Sequence, residues 1–277
     1  MSKPIVAMMY DFDKTLCTKD MQEYTFIPQV GMKSEDFWNE TGDLAQKENM
    51  DRILTYLYYM LKKARQMDVP IHRHTFVEAG KAIELFPGVE SFFQRMNAYG
   101  ESLGISIEHY IISSGLKEII EGSSIKDEFK RIYACEFHYD VNGIADWPGL
   151  VVNYTTKTQF LFRINKGVLD LYDDAPLNEY TPDRDRRIPF RNMIYFGDGL
   201  TDVPCMKLVK VNGGQSIAVY TDSSQANARK LLQDGRVDFM LPANYEEGSE
   251  LDTTVKLILD KMAIVNQLVK KNHQQKG

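Results

Sequence analysis

Two carboxylates two residues apart, Asp11 and Asp13, follow an apolar run near the start of the chain, in Asp11-Phe12-Asp13-Lys14-Thr15. Beyond a buried strand, such a pair projects into one site. One carboxylate can attack phosphorus and form an aspartyl-phosphate. The other can protonate a leaving oxygen and later activate water. An acidic turn with Thr15 capping a helix explains the same residues equally well, so the motif alone decides nothing.

Three later features share that placement. Ser113 follows the apolar run Ile107–Ile112, where its hydroxyl can donate to a phosphoryl oxygen. The amides of Ser114 and Gly115, opening a helix, would add donors. A plain helix cap is the competing reading. Lys157, near the start of a predicted helix, can offset negative charge shared by carboxylates and phosphate. Lys166, late in the same helix, is the rival lysine, where a cation suits the helix dipole. Gly197-Asp198-Gly199-Leu200-Thr201-Asp202 follows another short apolar run. Its glycines permit a sharp turn close to a ligand. Asp198 is placed to ligate a hard cation, with Asp202 in support. Magnesium prefers such a set of one or two carboxylates, waters and substrate phosphate.

The elements that must hold these residues are legible as periodicities. Ile5–Tyr10 is continuously apolar, as a parallel strand covered on both faces is. Further strands are expected over Ile107–Ile112, Ile132–Tyr139, Leu150–Tyr154, Met193–Phe196, Ile217–Tyr220 and Val237–Leu241. The second and third of these flank Asn142-Gly143 as a hairpin. Between the first two strands the pattern is helical: a start at Ser34, a helix over Met50–Gln66 and another over Thr75–Phe86. Pro87 is expected in the first turn of a helix reaching about Asn97. Thr155–Asn165 reads as a helix closed by Gly167. Tyr172–Pro189 reads as a surface loop, Leu251–Val269 as an amphipathic helix and Lys270–Gly277 as a solvated tail. The alternation implies an α/β fold: a doubly wound, mostly parallel sheet with a Rossmann-like core. The core is expected over residues 1–16 and 87–277, with an inserted helical cap domain over 17–86.

The 277 residues suffice for one large domain or two modest ones. Lys+Arg 33 against Asp+Glu 39 gives a net charge of −6, which argues against nonspecific nucleic-acid binding. Three separated cysteines, Cys17, Cys135 and Cys205, favour neither a disulfide framework nor a zinc site. No apolar run reaches membrane-spanning length. A cytoplasmic location without membrane partners is the expectation. His72 and His74 read as surface histidines, and Tyr56, Tyr58 and Tyr59 as packing groups or as walls of a pocket facing Asp11.

Together these motifs resemble the haloacid dehalogenase-like hydrolase superfamily, most closely its phosphoserine-phosphatase-like branch. The resemblance rests on Asp11-Phe12-Asp13-Lys14-Thr15, Ile111-Ile112-Ser113, Lys157 and Gly197-Asp198-Gly199-Leu200-Thr201-Asp202. It implies a magnesium-dependent phosphomonoester hydrolase acting on a small phosphorylated metabolite. Asp11 would be the nucleophile and Asp13 the acid/base. Thr15, Ser113 and Lys157 would meet the phosphoryl group. Asp11, the Asp13 carbonyl and Asp198 would hold Mg2+, with Asp202 in support. Asp13 favours phosphoryl transfer over dehalogenation. Lys14-Thr15-Leu16 and the lack of a span depart from P-type ATPases. The branch's substrate-binding glutamate would fall to Asp20 or Glu23, and its cap arginine to Arg52. Transfer to another acceptor, as in a mutase, and a non-catalytic binding role are the alternatives.

Overall fold

The computed structural model describes residues 3–275, with nothing described of the side chains of Arg184 and His273. Seven strands form one sheet in the order β4-β3-β2-β1-β5-β6-β7. They are β1 (Ile5–Tyr10), β2 (Ser106–Leu116), β3 (Phe129–Tyr139), β4 (Ala145–Leu150), β5 (Met193–Gly197), β6 (Gln215–Tyr220) and β7 (Phe239–Pro242). Every pairing is parallel except β3 with β4. β1 lies at the centre, and Val6 through Tyr10 are wholly buried. Both faces of β1 are therefore covered, as its unbroken apolar run requires.

Register does the positioning. Tyr10 pairs with Ile111 of β2 on one side and with Phe196 of β5 on the other. Asp11, Ser113 and Asp198 each lie one or two residues beyond that level, so three distant segments deliver side chains to one edge. Ligands in open α/β sheets bind at this carboxyl edge.

Between β1 and β2 run α1 (Phe26–Gln29), α2 (Ser34–Glu48), α3 (Arg52–Gln66), α4 (Arg73–Ala79) and α5 (Val89–Ser102). Asp51 caps α3, its carboxylate accepting from the Leu54 amide at 2.9 Å. The two ends of this inserted stretch are stapled together: Thr18 N donates to Glu84 O at 3.0 Å and Phe86 N to Leu16 O at 3.0 Å. The rest comprises α6 (Lys117–Ile120), α7 (Lys157–Lys166), α8 (Ala175–Asn178), α9 (Val203–Val211), α10 (Gln225–Gln233) and α11 (Glu250–Gln275). No helix among the described residues is long and apolar enough to cross a membrane. All three cysteines are buried and unbridged.

Several expectations need correction. The helix read over Thr75–Phe86 ends at Ala79, continues as one 3-10 turn and gives way to the extended staple. Pro87 is not inside α5: Gly88 caps that helix at φ 80°, with its Cα facing the backbone of Tyr245 and Glu246, where a Cβ has no room. The strand opposite β3 is Ala145–Leu150 and not Leu150–Tyr154. Pro148 and Gly149 hid it from the sequence pattern, because strand interiors disfavour both. α7 begins at Lys157 and not Thr155, its amides preceded by a turn that Asn153 and Thr156 organise. The Tyr172–Pro189 loop contains α8 and a 3-10 turn. The expected tail is helical as far as Gln275, propagation costing less than nucleation. Residues 276–277 lie outside the described ones.

Asp252 of α11 is wholly buried. It accepts from the Gly248 amide at 3.0 Å and Lys256 at 2.8 Å, and lies 3.4 Å from Arg95 of α5. Burial works to raise its carboxyl pKa, but Lys256, the Gly248 amide and Arg95 outweigh it and hold the value below the ordinary carboxylate range. A depressed folded-state pKa stabilises above the unfolded-state value, about 4, and that stability is lost as pH falls through the folded one. Asp252→Asn should therefore lower stability at neutral pH by roughly 1–3 kcal/mol. It should also flatten the loss of stability below about pH 4, as read by denaturant titrations at several pH values.

Candidate active site

The cavity at the carboxyl edge of the sheet has a volume of about 350 Å³. Asp11, Asp13, Lys14, Ser113, Ser114 and Asp198 line its floor. At its base the Lys157 ammonium is fully buried between two carboxylates, 3.0 Å from Asp11 Oδ1 and 2.7 Å from Asp202 Oδ1. Burial works to lower the lysine pKa, but Asp11 and Asp202 outweigh it and hold the group charged. The rival Lys166 points elsewhere, donating to the Leu177 carbonyl at 2.5 Å and to that of Glu179.

Carboxylate oxygens of Asp11, Asp198 and Asp202 lie within 4.8 Å of one another. Desolvation and mutual repulsion raise the pKa of both Asp198 and Asp202. Asp202 is already engaged: Lys157 and the Tyr195 hydroxyl, the latter at 2.8 Å, donate to Oδ1, and the Gly199 amide at 3.4 Å to Oδ2. Asp11 Oδ1 is buried with no hydrogen bond, its contact with Lys157 being one of charge alone. An all-oxygen donor set with a lone pair uncommitted and excess negative charge fits a hard divalent cation such as Mg2+.

Asp13 sits across from Asp11. Its Oδ1 accepts from the Met21 amide at 2.9 Å, which fixes the side chain. Burial, then the Asp20 and Asp11 charges, push its carboxyl well above the ordinary range. A carboxyl so perturbed holds a proton for donation. Lys14 takes a left-handed backbone conformation, φ 56°, that turns the loop back on itself, and its ammonium pairs with Asp20 at 2.6 Å.

Ser113 and Thr15 are both buried. The Thr15 and Ser114 hydroxyl oxygens have no partner. The Ser114 and Gly115 amides do not open a helix, as the sequence led one to expect. β2 continues irregularly to Leu116, α6 starts at Lys117, and the Gly115 amide turns onto Ser113 Oγ at 3.1 Å. Of the cap candidates, Asp20 lines the cavity, whereas Glu23 and the exposed Arg52 are not among its lining residues. Sequence reasoning missed Tyr195, which reads as a strand core residue, and the wall residues Gln22, Trp38 and Ile53. It kept open both readings of Tyr56, which is buried, lines the cavity and donates to the Ser114 carbonyl at 2.7 Å. Tyr58 is exposed, and Tyr59 is buried against Phe37. His72 Nδ1 donates to the Gly143 carbonyl at 3.1 Å, and its ring stacks on His74, away from this cavity.

Gly197 is where the turn demands glycine, since a Cβ there would sit 2.5 Å from Asp202 Cγ. At Gly199 the nearest such atom is Thr201 Oγ1 at 3.9 Å. Gly197→Ala should cost about 1–3 kcal/mol of stability by overpacking. Gly199→Ala should cost under about 1 kcal/mol, and denaturant melts of the two variants compare them directly.

Residues 8–207 match the family model of haloacid dehalogenase-like hydrolases. An uncharacterized protein of Borreliella burgdorferi is 30% identical over 274 residues, covering 89% of this chain and 94% of its own. A haloacid dehalogenase family hydrolase structure from Salmonella enterica serovar Typhi superposes with TM-score 0.59 at 16% identity, covering 92% of this chain and 72% of that one. A structure of a phospho-aspartyl intermediate analogue of phosphoserine phosphatase superposes with TM-score 0.58 at 16% identity, covering 92% and 99%. A probable phosphoserine phosphatase from Vibrio cholerae gives 0.57 at 14% identity, covering 96% and 67%. With the sheet order, the strand-end carboxylates and a model match over most of its length, the chain belongs to the haloacid dehalogenase-like hydrolase family.

Proposed function

We propose that the protein is a magnesium-dependent phosphomonoester hydrolase acting on a small phosphorylated metabolite through an aspartyl-phosphate on Asp11. The observation that carries this reading is the pairing, in one cavity, of two carboxyls held in different surroundings. Asp11 lies against a buried lysine, and Asp13 sits where burial and neighbouring charge keep a proton on it. A carboxylate backed by a buried cation suits the nucleophile, and a carboxyl that keeps its proton suits the acid.

In the first step a carboxylate oxygen of Asp11 bonds to phosphorus as the bond to the alcohol oxygen breaks. The Asp13 proton goes to that departing oxygen. In the second step water attacks the aspartyl-phosphate, Asp13 takes its proton, and phosphate leaves with Asp11 restored. The unpaired hydroxyls of Thr15 and Ser114, with Ser113 beside them, are the donors for phosphoryl oxygens. Lys157 holds positive charge beneath the site throughout. When bound, Mg2+ would be held by Asp11, Asp198 and the Asp13 carbonyl, and would neutralise charge on the transferring group. Asp202 positions Lys157 and closes the turn onto Gly199.

With p-nitrophenyl phosphate and Mg2+, Asp11→Asn should abolish turnover, and Asp13→Asn should lower kcat about 10²–10⁴-fold. Chelation of the metal should silence the native enzyme reversibly. Turnover by Asp11→Asn at the native rate would defeat the mechanism.

A further inference from the structure

The cavity has a second wall, supplied by the inserted helices: Gln22, Trp38, Ile53 and Tyr56. None of the four carries a charge. Among the described residues lining the whole cavity, Lys14 is the one cation, and Asp20 pairs with it at 2.6 Å. Two polar atoms of the wall are buried without a partner, Gln22 Oε1 and Trp38 Nε1. Gln22 is only 2% exposed. The Tyr56 hydroxyl is spent on the Ser114 carbonyl. What remains for a ligand is the Gln22 amide, which accepts through Oε1 and donates through Nε2, the Trp38 indole N–H, two aromatic rings and an aliphatic side chain.

We propose, resting on the phosphomonoesterase reading, that this wall selects an uncharged leaving group bearing hydroxyls, that of a phosphorylated sugar or polyol. A hydroxyl donates and accepts through one oxygen, so a row of them satisfies both Gln22 Oε1 and Trp38 Nε1. Its C–H surface lies against the Trp38 and Tyr56 rings and Ile53. A carboxylate-bearing leaving group, such as that of an amino-acid phosphomonoester, has no such match. It would leave water, find no uncommitted cation, and face the Asp20 carboxylate.

The test compares kcat/KM of the full chain with Mg2+ for sugar and polyol phosphates, phosphoserine and p-nitrophenyl phosphate. At least one sugar or polyol phosphate should exceed phosphoserine by about 100-fold or more, as expected where buried polar groups read hydroxyls. Trp38→Phe keeps an aromatic ring and removes the donor, and Gln22→Met keeps the approximate shape and removes the amide. Each should lower the ratio of kcat/KM between that substrate and p-nitrophenyl phosphate about tenfold. An unchanged ratio in both variants overturns the inference. So does turnover of p-nitrophenyl phosphate with no sugar or polyol phosphate above phosphoserine, which leaves the phosphomonoesterase reading standing. No turnover of any ester, p-nitrophenyl phosphate included, overturns that reading and the inference with it.

Discussion

The ammonium of Lys157 is the contact around which the molecule is arranged. It is wholly buried at the first position of α7 and touches two carboxylates, Asp11 just after β1 and Asp202 in the 3-10 turn that follows β5. Without it, those acids would be forced together in a medium that screens poorly. Removing one partner from such a buried set is far more costly than the net worth of the set itself. The lysine therefore permits β1 and β5 to lie side by side with acidic ends, and the parallel sheet is built outward from that pair. Tyr195 completes the arrangement by filling the remaining approach to Asp202 Oδ1.

Much of this was legible in sequence for a physical reason. A strand buried on both faces must be apolar throughout, so Ile5–Tyr10 and Met193–Phe196 declare themselves. A charged residue can appear only where such a strand ends, so Asp11 and Asp198 mark the edge of the sheet as well as its chemistry. Lys157 and Ser113 were found through their order along the chain. The rest depends on contacts that no local pattern records. Tyr195 looks like any core tyrosine. Gln22 and Trp38 owe their roles to the way α2 and the 3-10 turn at Met21–Tyr24 fold over the sheet edge. Arg52 fits the expected cap arginine by type alone, and α3 turns that position outward while Ile53 and Tyr56 face the cavity. The irregular end of β2 escaped notice because Ser113-Ser114-Gly115 reads as a turn.

The inserted helices are fastened to the sheet layer at several separate points. Backbone bonds join Leu16–Thr18 to Glu84–Phe86. The Asp51 carboxylate, besides capping α3, accepts from Asn153 at 3.0 Å in the turn before Lys157. α4 crosses α6 so closely that a Cβ on Gly122 would collide with the Val77 carbonyl, and one on Gly80 with that of Ile119. The Asn153 link sets the inserted helices next to the buried lysine, so the pocket wall and the charged base share a mechanical reference.

The two halves of the cavity are written differently along the chain. The charged floor is assembled from residues spread between Asp11 and Asp202, held in place by strand register. The neutral wall comes from the single stretch Gln22–Tyr56. That stretch lies outside the strands, whereas the floor residues stand just past strand ends whose pairing places them. Descendants of this chain can thus diverge in diet while inheriting one reaction, because selection can rewrite a short contiguous passage without reopening the part that makes and breaks bonds.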